Sequence, residues 1–115
     1  MLPREKRLRK NAEFDTVYKS GRYFSERFLT LYVLKNGAEN IRCGFSISKK
    51  VSKKATVRNK IKRQLSHIFR EELSLINVNG FDLIFVARKS MIDIEFFEIK
   101  KSVCSLLKRA NFYLK

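Results

Sequence analysis

Residues Phe45 to Arg70 bring together the side chains best suited to gripping phosphate, at a spacing that can present them on one surface. Lys49, Lys50, Lys53, Lys54, Arg58, Lys60, Lys62, Arg63 and Arg70 stand in this stretch with no Asp or Glu among them. Lysine supplies a compact point charge and arginine a forked set of donors, the chemistry that neutralises a nucleic-acid backbone. Val57, Ile61, Leu65, Ile68 and Phe69 thread the same stretch at helical spacing, so the cations ride on a helix with one apolar side. A helix that is only solvated mixes its charge signs. This one does not, and an anionic partner is expected.

The start of that helix sharpens the expectation. A helix N-terminus carries partial positive charge and disfavours cations, yet Lys53, Lys54 and Arg58 lie at or just before the first turn. A phosphate docked there would meet free backbone N–H groups and side-chain charge together. At about 100° per residue, Arg63 and Arg70 share the side of Asn59, opposite the apolar comb, while Lys60 and Lys62 flank it. Arg58 falls inside the apolar arc and is expected to reach past the core edge to a partner. Asn59 reads either as a plain first-turn residue or as a contact.

Other chemistries lack their residues. Apart from Glu71-Glu72 and the group Asp93, Glu95 and Glu98, the acids stand singly, whereas a metal-dependent nuclease gathers several around a cation. Asp93, Glu95 and Glu98 suit a helix start instead. His67 falls toward the polar side of its helix without a Ser, Cys or Asp partner at readable spacing, so no catalytic residue and no metal ligand is assigned. Cys43 and Cys104 are far apart, form no C-x-x-C pattern and lie on apolar positions, which predicts buried free thiols in a reducing cytoplasm.

Composition agrees. Lys+Arg number 26 against 11 Asp+Glu, a formal charge of +15, within 115 residues of which 44% are apolar. That is a single folded domain with a nucleic acid as its first-ranked partner. A membrane is not expected, because no apolar run approaches the length of a spanning helix. Residues 1–10, MLPREKRLRK, read as a flexible basic tail, either merely solvated or a weak phosphate-binding arm.

The elements that must position the cations follow in order. Asn11 to Lys19 reads as a short helix capped by Asn11, with Phe14, Val17 and Tyr18 on one side. Arg22 to Ser25 is a short strand candidate. Phe28 to Lys35 and Ile41 to Ser48 alternate as strands, and Asn36-Gly37 between them signals a hairpin. The basic helix runs from about Thr56 to Ile76. Phe81 to Ala87, FDLIFVA, reads as a central strand. Asp93 caps a last helix whose core face is Phe96, Ile99, Val103, Leu106, Leu107 and Ala110; its other face, Lys100, Lys101, Lys108 and Arg109, is solvated. The fold class is α+β, an α-β-β-β-α-β-α sandwich with a small mixed sheet and a βαβ crossover through the basic helix.

A second surface follows from the two alternating strands. Their other side holds Phe28, Thr30, Tyr32, Arg42, Gly44, Ser46 and Ser48, the last four too small or too polar to make a core. Phe14 and Tyr18 can lie over it, making a groove with aromatic walls, a small-residue floor and basic edges, suited to an extended single strand. Phe14 serves equally well as a staple holding the first helix to the sheet. For Tyr18 and Tyr32 the groove is favoured, because a tyrosine hydroxyl prefers a wet edge.

Ser46-Ile47-Ser48-Lys49-Lys50 followed by Arg58-Asn59-Lys60-Ile61-Lys62-Arg63 resembles the signature of the bacterial ribonuclease P protein subunit, with Lys60 where the family has Arg and Ser52 where it has Gly. The resemblance continues through Asn11-Ala12-Glu13-Phe14, Val17-Tyr18-Lys19-Ser20-Gly21, Leu31-Tyr32 and Ala87-Arg88-Lys89. It implies a left-handed crossover shared with a ribosomal-protein domain, although right-handed crossovers are the general rule. By the same resemblance the chain is an RNA-binding helper in removal of the 5′ leader from precursor tRNA, the RNA subunit carrying the hydrolysis with RNA-held Mg2+. Phe14, Tyr18, Tyr32, Ser46, Ser48 and Lys49 match the leader-binding positions. Arg58, Asn59, Lys60, Lys62 and Arg63, with the nearby Lys53 and Lys54, match the surface facing the RNA subunit. The partners implied are that RNA and the precursor, with the isolated protein a monomer. The alternative is a ribosome-associated or general RNA-binding protein without a role in cleavage.

Overall fold

The computed structural model describes residues 2–3, 6–77 and 79–114. Three helices, α1 (Asn11–Ser20), α2 (Ala55–Glu72) and α3 (Phe96–Arg109), surround four strands, β1 (Arg22–Ser25), β2 (Leu29–Lys35), β3 (Arg42–Ser46) and β4 (Phe81–Ala87). The element order is the expected one. The sheet order is β1-β2-β4-β3, with β2 antiparallel to β4 and β3 parallel to it.

That order corrects the expected hairpin. Asn36-Gly37 does turn the chain: Gly37 has φ 72° and the Asn36 side chain accepts from the Ala38 N–H at 2.8 Å. The two strands it joins are nevertheless not neighbours, because β4 lies between them. The reason is in β4 itself. Leu83 and Phe85 point to one face and Ile84 and Val86 to the other, and Leu83, Ile84 and Phe85 are fully buried. A strand apolar on both faces belongs inside a sheet, covered above and below.

The two faces are unequal. On one, α2 and α3 close the main core through Leu65, Ile68, Phe69, Ile99, Val103, Leu106 and Leu107 against Leu29, Leu31, Leu83 and Phe85. Phe69 and Phe45 both contact the Phe85 ring, at 5.6 and 5.9 Å between centroids. On the other face α1 and the segment before it seat Val17 and Leu8 on Ile84. This thin layer covers only part of the sheet, which leaves room for a groove.

Several boundary expectations need amendment. Lys10, not Asn11, is the α1 N-cap, and the Glu13 carboxylate accepts from the Arg9 and Lys10 backbone N–H groups at 3.1 and 3.0 Å. Carboxylate supplied from within the first turn replaces a capping side chain. Glu95, not Asp93, precedes α3. Phe96 is exposed and tilts against His67 instead of entering the core, while Phe28 is buried in the main core and not on the polar face. Cys43 is buried and free. Cys104 is free but only half-buried, its thiol donating to Glu72 at 2.9 Å. The described part of residues 1–10 is docked and not a free tail: Leu2 and Leu8 are buried, and the Leu8 N–H donates to the Cys43 carbonyl at 3.0 Å, along the open edge of β3. Two apolar side chains within a basic segment give it something to bury.

Candidate nucleic-acid interface

On the α1 side, cross-strand register lines up two rows. Tyr23, Tyr32, Ile84 and Gly44 form one, and Ser25, Thr30, Val86 and Ser46 the next. Helix α1 covers Ile84 and Gly44, while Val86 and Ser46 in the second row stay half-buried. Gly44 is what lets it come so close: a Cβ there would lie 2.5 Å from Cζ of Phe14. Phe14 thus sits over bare backbone, with Tyr18 one helical turn further on, 6.4 Å away between ring centroids. Tyr18 meets Tyr32 edge-on at 5.0 Å. Phe14 and Tyr18 wall a depression whose lining includes Asn11, Asp15, Phe45, Ser46 and Ile47, and Tyr32 stands beside it against Tyr18.

The structure therefore brings Phe14, Tyr18, Tyr32 and Ser46 together. Phe14, Tyr18 and Tyr32 are each half-buried, so part of each ring is packed and part accessible. Phe14 is both staple and wall. Ser48 and Lys49 lie just beyond, exposed, in the loop leaving β3; the Ser48 hydroxyl accepts from the Lys50 N–H at 3.2 Å and so helps shape that loop.

Arg42, expected as a basic edge of the groove, has another task. Its guanidinium holds Asp82 through two bonds, 2.9 and 2.7 Å, and also donates to Glu13. Asp82 is 4% exposed, so its charge requires this partner, which Asn36 supplements at 2.9 Å. The cluster ties α1 to the sheet at the end of the face away from Ser46. Pairing with Asp82 raises the Arg42 pKa further, and the Lys10 and Arg9 N–H groups, with a smaller contribution from Arg42, hold Glu13 below its ordinary 4.5.

Beyond Ser46 the chain enters the cationic surface directly. Val51 is buried and anchors the loop, and the Ser52 hydroxyl accepts from the Lys54 N–H at 3.2 Å. Helix α2 then starts at Lys54 with no side-chain cap and no acid in its first turn. Lys53, Lys54, Asn59, Lys60, Lys62 and Arg63 are exposed, and among the described residues none of these cations is paired with a carboxylate. Asn59, Lys62 and Arg63 with Thr56 line a shallow depression on this face. Arg58 departs from expectation. It turns back instead of reaching out, one guanidinium nitrogen donating to the Ser52 and Lys53 carbonyls at 2.9 and 3.0 Å. Those carbonyls lie within reach of a long side chain on the first turn, so Arg58 locks the loop that presents Lys53 and Lys54.

Between the two surfaces, at the β3 edge, a cavity of about 280 Å³ is lined by Arg7, Arg9, Phe14, Gly44, Lys62 and Ser66 among others. It joins α1, β3 and α2 with cations on both sides. Sequence reasoning did not place Arg7 and Arg9 there, nor Val86 on the groove floor, nor Arg88, exposed just past Val86; the alternation of FDLIFVA was the available signal for the last two. Among the described residues no three His, Cys, Asp or Glu side chains come together as a metal-holding group, and no helix is long and apolar enough to cross a membrane.

Comparisons with known proteins agree with this geometry. A family model described as Ribonuclease P matches residues 2–111. The ribonuclease P protein component of Clostridium kluyveri is 46% identical over 108 residues, covering 93% of this chain and 96% of that relative. Among solved structures, the RNase P protein of Staphylococcus aureus superimposes with a TM-score of 0.85 at 34% identity, covering 95% of this chain and 98% of that one. The Thermotoga maritima RNase P protein gives 0.80 at 32% identity, over 90% and 96% of the two chains. With its sequence matched almost end to end and its four-stranded mixed sheet shared with these structures, the chain belongs to the ribonuclease P protein family.

Proposed function

We propose that this protein works in the cytoplasm as the RNA-binding subunit of ribonuclease P, binding the catalytic RNA through the start of α2 and the 5′ leader of precursor tRNA in the aromatic groove. The observation that carries the reading is the continuity of the two surfaces: the groove ends at Ser46, and the next residues of the chain, from Ser48 through Lys54, lead straight onto the unpaired cations of α2. One protein can therefore touch two RNAs at their meeting point. Its net charge of +15 offsets the phosphate repulsion that opposes their approach.

The roles divide by chemistry. Lys53, Lys54, Lys60, Lys62 and Arg63, with Asn59, meet the phosphates of the RNA subunit. Arg58 shapes the loop at that interface. Phe14, Tyr18 and Tyr32 stack on leader bases, which tolerates any leader sequence because every base has a face to offer. Ser46 and Ser48 supply hydroxyls along the floor and Lys49 a charge at its end. The phosphodiester hydrolysis belongs to the RNA subunit and its Mg2+, and the protein raises the preference for precursor over mature tRNA by holding the part that only the precursor has.

Substitution of Tyr18 and Tyr32 tests this division. Each alanine variant is expected to weaken binding of precursor tRNA to the holoenzyme by about 1–3 kcal/mol, the usual contribution of one stacked base, with mature tRNA unaffected. Filter binding with both substrates reads the difference. Equal losses for the two would remove the leader from the groove.

A further inference from the structure

The row of rings does not stop at Tyr32. Tyr23 stands directly opposite it on the neighbouring strand β1, with ring centroids 5.8 Å apart and planes inclined at 36°. Alternation sends Phe24 to the core side and leaves Tyr23 on the groove side, where it is 66% exposed. Helix α1 packs over β2 and β4, and Tyr23 stays exposed at this end of the face. A tyrosine this exposed is unremarkable when it stands alone. Here it continues a series, Phe14 to Tyr18 to Tyr32 to Tyr23, in which neighbouring rings are 5.0 to 6.4 Å apart.

The surroundings repeat those of the opposite end. At the β3 edge the rings stand beside the Ser46 hydroxyl. At the β1 edge Tyr23 stands beside Ser25 and Thr30, whose hydroxyls are hydrogen-bonded at 3.1 Å. Lys19 in the last turn of α1 is exposed, so a cation is at hand for phosphate, whereas Arg22 turns to the other face over the Phe24 ring, 5.8 Å from its centroid. An aromatic face, a small hydroxyl floor and a nearby cation again make a seat for a nucleotide of single-stranded RNA.

We infer that Tyr23 is a further stacking residue, which extends the groove across the whole sheet to the β1 edge and holds the leader nucleotides furthest from the cleavage site. This rests on the leader reading of the groove. The polarity follows from the fold: the β3 end adjoins the surface of α2 assigned to the catalytic RNA, so a leader emerging from the cleavage site enters there and meets Tyr23 last.

The test uses reconstituted holoenzyme and precursor tRNAs whose leaders are lengthened one nucleotide at a time. Tyr23→Ala is expected to weaken binding about five- to tenfold for long leaders and to leave short-leader and mature tRNA unchanged. Tyr23→Phe keeps the ring and is expected to bind as the unsubstituted protein does. Tyr18→Ala serves as the reference, its loss beginning at shorter leaders. If Tyr23→Ala is silent at every length while Tyr18→Ala is not, the extension to β1 is wrong and the groove stands. A Tyr23→Ala loss that is the same at all lengths also overturns the inference. If Tyr18→Ala is silent as well, the leader reading fails with it.

Discussion

Arg42→Met lowers the stability of the fold by about 3 kcal/mol in urea unfolding, a large share of what a domain of this size has. The expectation comes from Asp82, not from Arg42. Removing the guanidinium leaves a carboxylate that is 4% exposed with, among the described residues, Asn36 as its remaining side-chain donor. The cost is that of an uncompensated buried charge, which exceeds the net contribution of the intact pair. Arg42 is partly exposed, so water can replace some of its bonds, and the lower end of the usual range for such losses applies. Asp82→Asn in the same background restores much of the loss, because the neutral amide no longer demands a cation. A cost below about 0.5 kcal/mol for Arg42→Met would place the pair among ordinary surface contacts.

The same cluster gives a pH signature through Glu13. Its folded-state pKa is depressed, first by the Lys10 and Arg9 backbone N–H groups and then by Arg42, against an opposing push from burial. A depressed carboxylate contributes stability that is present above its unfolded pKa, near 4.5, and lost as pH falls through the lower folded value. The stability difference between the unsubstituted protein and Glu13→Gln is therefore full near neutrality and shrinks in acid below that point. Helix α1 carries Phe14 and Tyr18, so the groove should loosen in acid before the main core does.

Replacing Lys53, Lys54, Lys62 and Arg63 together by alanine is expected to reduce affinity for the RNA subunit by orders of magnitude and to flatten its dependence on salt. Each lost phosphate contact removes about 0.7–0.9 from the slope of log K against log salt. The fold should hold, since all four side chains are exposed and make no internal ion pair among the described residues. Arg58→Ala should behave differently, weakening RNA binding through a loosened loop with a smaller change in slope. An unchanged slope in the fourfold variant would mean that this face of α2 meets no phosphate.

Much of this interface is legible in the chain because it is local. The comb from Val57 to Phe69 and the cations around it lie on one helix, where spacing alone determines the face. The place of Phe81–Ala87 inside the sheet follows from its apolar residues on both sides. Strand neighbours are another matter. Asn36-Gly37 marks a turn, but whether the strands it joins pair depends on a third strand that arrives some forty residues later. Arg42 shows the same limit: its partners Glu13 and Asp82 are 29 and 40 residues away, and no local pattern reveals that its charge is spent. Tyr23 sits in a strand of four residues, too short for alternation to speak. Arg58 was placed correctly on the helix, while the carbonyls that capture it belong to an irregular loop with no periodicity to read.

The most direct test of the account is cleavage of a precursor tRNA carrying a labelled 5′ leader at low magnesium, with a bacterial ribonuclease P RNA, with this protein, and with both. Cleavage at the mature 5′ end only when both are present, reduced by the Tyr18→Ala and fourfold α2 variants, is the predicted result. Tight RNA binding with no effect on cleavage by the RNA, or cleavage by the protein alone, would contradict it.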